Sequence, residues 1–542
     1  MTLPLTTMLL GLPPLAALLS LALDRIAPTR LLAIGCAVCL LIAAAGLFLV
    51  GGGAMLLDVV WLAIDVQQLR AMLVLDAAAM VPLPIMLGGG GLALLALGLG
   101  FSWQLRHYGG LVAALTIAVW SAAIGVLAQH TPLLPIAWAV AACAGFAAHA
   151  IAVPAERHRG GLRWLLSGLG GALLVGASEV LQTANPALAL LCVGVAASAA
   201  CGIPPLRHFV NGVAAAPSSV LVALVPCGLP LLAIFTLLTE ASAAPIPQRR
   251  QMLLVLLGLA ALLATAAGAL RADGVRRLAL TQISAHFGLI VVALGLGQGG
   301  TIAALALLAN AGLSGCGLLL VANASERRDG SSVWLAPPLL LAVASLAGLP
   351  GTLGFAARVW LLDAAGGAAP WAIAPLLAAW ALGLAALIAP LAALLRGAGR
   401  DGPTAVAIAV APLLLAAGLA PASVWSRWIE PAALALGSGA SPWLPAVGQQ
   451  LAASLAIVAL VAVGVLVARR TTGPAAGPVA EPHALAETLG GLEWLGAPAV
   501  GGAAEASAGF FVDLRRVASP LIRRYYLAVA LLSIIVVVLL FL

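Results

Sequence analysis

Residues 201–220 read CGIPPLRHFVNGVAAAPSSV. Two adjacent prolines, Pro204 and Pro205, and the Arg207-His208 pair interrupt a chain that is otherwise almost pure hydrocarbon. Proline has no backbone N–H, and its ring collides with the preceding turn, so a helix running into this pair ends there. The turn-prone pair Asn211-Gly212 follows shortly after. A second interruption, AGLPGTLGF, occupies residues 347–355 and breaks the chain near Leu349-Pro350. Breaks at membrane depth strand backbone groups unless protein or water surrounds them. Corresponding breaks in two halves of one chain point to repeated bundles with a pathway at each break.

The solvent for such a chain is lipid. Of its 542 residues 63% are hydrophobic and 8% charged, and the mean hydropathy is +1.16. A water-soluble protein of this size does not carry that much apolar surface. Acidic residues number 18 and basic ones 25, and every basic residue is an arginine because the sequence has no lysine. The net charge of +7 is accounted for by arginines between spans and implies no nucleic acid partner.

Apolar runs long enough to cross a bilayer recur along the chain. They occupy 3–23, 31–50, 77–100, 110–129, 132–153, 164–182, 186–204, 217–238, 251–270, 278–298, 300–322, 333–353 (continuing as a half-helix near 354–367), 371–394, 403–421, 450–468 and 525–542. The fold class is therefore an all-α polytopic membrane protein with about 14–16 transmembrane helices. With the N-terminus outside, the inner loops collect 20 arginines and the outer loops four, with Arg358 left inside a span. That asymmetry is a positive-inside signal and places both termini outside. The opening segment has no basic leader and reads as a retained first span rather than a signal peptide. The expected location is a bacterial inner (cytoplasmic) membrane.

The expected organisation follows from the two breaks. Residues 1–109 hold three N-terminal helices and an outer loop, 51–76, whose short apolar pieces suit a hairpin. Residues 110–238 and 251–394 form two five-helix inverted repeats, each broken in its fourth span. Residues 403–468 hold C-terminal helices, 469–524 an inner-surface linker or short lateral arm, and 525–542 a final transmembrane helix. Nothing marks an enzyme acting alone. The GGGG at 88–91 lies within a span and suits close helix packing rather than phosphate binding. No His/Cys/Asp cluster has metal-ligand spacing. The seven cysteines read as small packed residues rather than ligands or disulfides. No metal or other cofactor is expected.

The stretch PLRHFVNGVAAAPSSV resembles the P-L-H-x-W-L-P-D-A-x-x-x-P-T-P-V motif of antiporter-like membrane subunits. Those subunits occur in NADH–quinone oxidoreductase (complex I), membrane-bound hydrogenases, Mrp antiporters and the DAB inorganic-carbon pump. VRRLALTQISAHFGLI is similar to the family's L-K-R-L-L-A-Y-S-S-x-S-H-x-G-x-x, and LLANAGLSGCGLLL stands where L-L-x-H-A-x-x-K-A-L-L-F-L is expected. LAGLPGTLGFAARVWLLDAA resembles L-A-G-L-P-P-x-x-G-F-x-x-K-x-x-L-L-x-A. The resemblance covers roughly residues 70–400 in the family's order.

The resemblance implies proton transfer along a mid-membrane chain of Glu, Lys and His, with most of that chain missing here. The family's Trp-Glu is Trp138-Ala139, its break lysine falls on Ala200, and its next basic residue falls near Val225. The expected His and Lys of the second half fall on Asn310 and Ser314. Without lysine the usual relay cannot operate. The proton-path candidates that remain are His286, Asn310, Ser314 and Arg358 in the second half, and His149 and Glu179 in the first. Histidine is the side chain best suited to exchange protons near neutral pH; the alternative for His286 and His149 is a structural hydrogen bond between helices. Arg358 replaces a family lysine and does not release its proton, so a fixed charge or break-capping donor is its natural role. Glu179 also suits an outer-interface position, Arg207 and His208 suit snorkelling at the inner interface, and Asp76 suits an N-cap.

Three functions follow from the resemblance. The first is a membrane subunit of a complex I-like or hydrogenase-like proton- or cation-translocating assembly, with its own path degenerate. The second is the membrane subunit of a DAB-type bicarbonate/CO2 uptake pump. The third is a purely structural subunit. The implied partners are other membrane subunits, lipid, and a peripheral soluble subunit, either a redox module or a zinc protein resembling a carbonic anhydrase.

Overall fold

The computed structural model describes residues 2–24, 28–50, 54–64, 67–100, 107–129, 131–153, 158–203, 206, 212–243, 247–269, 272, 275–325, 335–394 and, with gaps, 406–438. Pro204, Pro205, Arg207, His208 and Asn211 lie outside the described residues, as do the expected spans 450–468 and 525–542, the expected arm 469–524 and most of the expected span 403–421.

Helices α1 (Thr2–Ala22) and α2 (Thr29–Val50) open the chain. An antiparallel hairpin follows, with β1 (Ala54–Ile64) paired to β2 (Gln67–Leu75) from Ala54 opposite Leu75 to Ile64 opposite Gln67. It is a departure from an otherwise helical chain among the described residues. Then come α3 (Pro82–Gly100), α4 (Tyr108–Leu127), α5 (Leu133–Ala152), α6 (His158–Ala184) and α7 (Pro186–Cys201). After the Pro204-Pro205 region the chain continues as α8 (Ser218–Leu224), α9 (Leu229–Ala243), α10 (Gln248–Ala269), α11 (Val275–Gly295) and α12 (Gln298–Ser325). The second break separates α13 (Ala336–Ala347) from α14 (Leu353–Ala368), and α15 (Ile373–Leu394) follows. Among the described residues ten helical segments are long and apolar enough to cross a membrane.

Burial sorts these helices into an inner set and an outer set. The α4, α8–α9 and α11 spans are wholly inside the bundle, whereas only 33% of the α6 span and 39% of the α10 span are covered. The uncovered faces carry Leu173, Val180, Leu253 and Leu257, which is stable only against hydrocarbon. Helix α12 touches α3, α8 and α9 on one side and α11, α13 and α14 on the other, so it joins the two halves of the chain.

One span differs from its expected form. The run 217–238 reads as continuous hydrocarbon, but the helix is interrupted at Val225-Pro226-Cys227-Gly228, between α8 and α9. Pro226 has no N–H to continue the ladder. At Gly228 a Cβ would press into the carbonyl oxygens of Ala223 and Leu224, so only glycine lets the chain turn this tightly. Every residue of α8 is buried, so the interruption is shielded from lipid.

Candidate functional site

The end of α13 can be accounted for group by group. A helix leaves its last four carbonyls without intrahelical donors, and inside a membrane each needs a partner. The Ala344 carbonyl accepts from the Leu349 amide at 2.8 Å, and that of Ser345 accepts from the Gly348 amide at 3.1 Å. Gly348 makes this reversal with φ +69, a left-handed conformation that favours glycine. The natural donor to the Leu346 carbonyl would be residue 350, which is proline. Arg358 of α14 supplies the bond instead, from Nη2, while its Nη1 donates to the Gly354 carbonyl at 3.3 Å. The last carbonyl, Ala347, accepts from the indole nitrogen of Trp380 on α15. The Arg358 guanidinium also lies over the Trp380 ring, 5.0 Å from its centroid.

A second group of polar side chains meets the same helix end at Ser345. Asn310 of α12 donates from Nδ2 to His286 Nε2 at 3.1 Å and to the Ser345 carbonyl at 3.2 Å. Its Oδ1 accepts the hydroxyls of Ser314 at 3.0 Å and Ser345 at 2.6 Å. Both amide hydrogens and both acceptor positions are thereby used. His286 Nδ1 lies 2.9 Å from the Gln282 carbonyl. A carbonyl only accepts, so Nδ1 carries the hydrogen and Nε2 is the acceptor facing Asn310. His286, Asn310, Ser314 and Ser345 are all buried. Gly354 permits this approach, because a Cβ there would collide with the Ser345 carbonyl and crowd Asn310 Nδ2.

A small cavity of about 40 Å³ opens beside His286, lined by Gln282, Arg358, Trp380 and Gly383 among apolar side chains from α10, α11, α13, α14 and α15. The imidazole and the guanidinium thus face one space, and the arginine's fixed positive charge acts on whatever occupies it.

The structure brings four of the six candidates to this place: His286, Asn310, Ser314 and Arg358. Pro350 lies in the turn after α13. His149 and Glu179 belong elsewhere. His149 is fully buried on α5, its ring against Gly161 of α6. Glu179 is half-buried near the end of α6. One turn further along, Gln182 Nε2 donates to Glu240 of α9 at 3.3 Å. Asp76 accepts the Ala79 amide at 2.6 Å. Ser345, Gln282 and Trp380 belong to the second-half site and were not among the candidates. Ser345 and Trp380 show no pattern in sequence that ties them to Asn310 or to the break. Gln282, at i−4 from His286, shares its helix face and was within reach.

The first break is closed in the same manner as the second. After α7, Gly202 takes φ 65 and its amide donates to the Ala199 carbonyl at 3.3 Å, while the Ile203 amide donates to Ser198 at 2.9 Å. The Cys201 carbonyl accepts the Ser284 hydroxyl of α11 at 3.0 Å. Gly202-Ile203-Pro204 and Gly348-Leu349-Pro350 are thus the same Gly-aliphatic-Pro element at two helix ends. Among the described residues no group of three or more His, Cys, Asp or Glu side chains could hold a metal ion.

No family model matches the chain, and no curated protein matches it. Solved structures do. A chain of the Mrp complex from Dietzia sp. DQ12-45-1b superposes with a TM-score of 0.72 at 21% identity, over 96% of this chain and 63% of that one. The chain therefore spans less than two thirds of that relative's length. A chain of the membrane-bound sulfane sulfur reductase, an archaeal respiratory membrane complex, gives a TM-score of 0.63 at 16% identity, over 84% of this chain and 99% of that one. The protein is multi-pass and shares the fold of the complex I-like, antiporter-type membrane subunits represented by these two complexes, the family its sequence motifs resemble.

Proposed function

We propose that the chain is a membrane subunit of an Mrp-like or complex I-like cation-translocating assembly, and that the protons it handles pass through the second repeat at His286. The observation that carries this reading is the hydrogen-bonded set His286–Asn310–Ser345 at the α13–α14 break, beside a cavity, in a fold shared with such complexes.

The network defines what a proton must do. His286 Nε2 receives a second proton only if the Asn310 amide turns over, since two donors cannot face each other. In the turned state Oδ1 accepts from Nε2–H, and Nδ2 donates to the Ser314 and Ser345 hydroxyl oxygens. The Ser345 carbonyl keeps the Gly348 amide as its donor. Turning the amide also replaces the Nδ2 donation to the Ser345 carbonyl by Oδ1 beside that carbonyl, two acceptors facing each other, so the turned position is held only while His286 carries the second proton; the amide is thus a two-position element coupled to the charge on His286. Arg358 and Trp380 hold the break rigid around it.

A purely structural subunit is the second reading, favoured by the saturation of Asn310 in its present orientation. Affinity purification of the tagged full chain in mild detergent, with mass spectrometry of what stays bound, tests the assembly. We expect further membrane subunits of the antiporter or respiratory type. A soluble zinc protein resembling a carbonic anhydrase as sole partner would instead assign the chain to a carbon-uptake pump, and recovery of the chain alone would remove the proposal.

A further inference from the structure

Two of the seven cysteines are neighbours across 89 residues of sequence. Cys227 Sγ and Cys316 Sγ lie 3.2 Å apart, each buried, at 0% and 3% exposure. Cys227 stands in the interruption between α8 and α9, and Cys316 stands on α12, two residues beyond Ser314. The third wall is α3. The Cys227 thiol lies 3.6 Å from the Ile85 carbonyl, and a Cβ on Gly89 would come within 2.5 Å of one sulfur and 2.9 Å of the other. Gly89 therefore leaves room for both thiols, where any side chain on that residue would displace one of them.

We propose that Cys227 and Cys316 are a latent disulfide, a site of two-electron oxidation that ties the α8–α9 interruption to α12. Distances decide between this and a bound thiophilic ion. A disulfide needs its sulfurs at about 2.05 Å, so these two must approach by roughly 1 Å. An ion held linearly between the two sulfurs, with metal–sulfur bonds of about 2.3 Å, would need them about 4.6 Å apart, further from the observed 3.2 Å than a disulfide is. The interruption at Val225–Gly228 lacks a continuous helical ladder, which lets Cys227 move toward α12.

The chemistry balances with a small uncharged acceptor of the azodicarboxamide class, able to reach a site enclosed by hydrocarbon. Two S–H bonds break and one S–S bond forms. The two protons and two electrons pass to the acceptor, whose N=N bond becomes HN–NH. The product joins the first half of the chain covalently to the helix at the centre of the second. This inference does not rest on ion transport.

The test uses the full chain in its native membranes, first reduced, then treated with the azodicarboxamide diamide. The sample is denatured in excess N-ethylmaleimide, digested and mapped by mass spectrometry. We expect the Cys227 and Cys316 peptides to be joined, the bond to vanish on reduction, and Cys227→Ser to leave Cys316 singly alkylated. Recovery of both residues alkylated in the wild-type chain after prolonged oxidation in mild detergent would overturn the proposal. So would pairing of either with Cys36, Cys39, Cys143, Cys192 or Cys201.

Discussion

Replacing Arg358 by methionine is expected to lower the stability of the chain by about 3–6 kcal/mol, because two charge-assisted hydrogen bonds of about 1.5–3 kcal/mol each disappear. The loss is concentrated at the Leu346 carbonyl. Its ordinary donor is replaced by Pro350, so no nearby amide takes over when the guanidinium is removed. Methionine fills the space and spares the change from a cavity penalty, which isolates the capping term. Arg358→Lys is expected to fall between the two, since an ammonium reaches one carbonyl but cannot fork between two while stacking on Trp380. Survival of monodisperse protein after graded heating in mild detergent reads the effect. A methionine variant as stable as the wild type would show that the break is not held by Arg358.

Asn310→Leu removes the amide at the centre of the network and is expected to cost about 2–3 kcal/mol. Interhelical side-chain bonds inside membranes average only about 0.6 kcal/mol, and Asn310 makes three, one to His286 and two to Ser345, besides one to Ser314 on its own helix. The remainder comes from His286 Nε2, left buried with no donor. The serine hydroxyls can turn to carbonyls of their own helices, which limits the damage. The same heating series measures the change, and a loss near that of Arg358→Met would mean that neighbouring groups do not recover. Stability alone does not separate a relay from a structural network, but the leucine variant also abolishes the two-position element. A relay loses proton movement in full, whereas a structural network loses only stability.

The spans were legible in the sequence because hydropathy is summed over about 20 residues and lipid tolerates little else. The thirteen expected up to residue 394 correspond to described helices or broken helices, from α1 to α15. The α13–α14 break was legible because Gly348-Leu349-Pro350 couples a left-handed position to a missing donor. The α8–α9 interruption was hidden by its own surroundings, although Pro226 and Gly228 are plain in VALVPCGLP. An apolar run scores the same whether or not its backbone is continuous. The site was half legible. His286, Asn310, Ser314 and Arg358 stand out as polar groups in hydrocarbon, but Ser345 is 35 residues from Asn310, and Trp380 is 33 from the carbonyl it satisfies. Those contacts come from helix packing, which a single sequence does not encode as a pattern. The cysteine pair escaped for the same reason, since each residue alone is merely small and apolar.

The central claim is that protons pass through His286, and proton flux measures it. The intact assembly carrying His286→Ala is reconstituted into sealed vesicles beside the wild type, with subunit composition verified in both. Internal pH is then followed under an imposed cation gradient. Flux at background in the variant, with all subunits retained, is the predicted result. Equal flux in both, or none in the wild-type assembly, would contradict it.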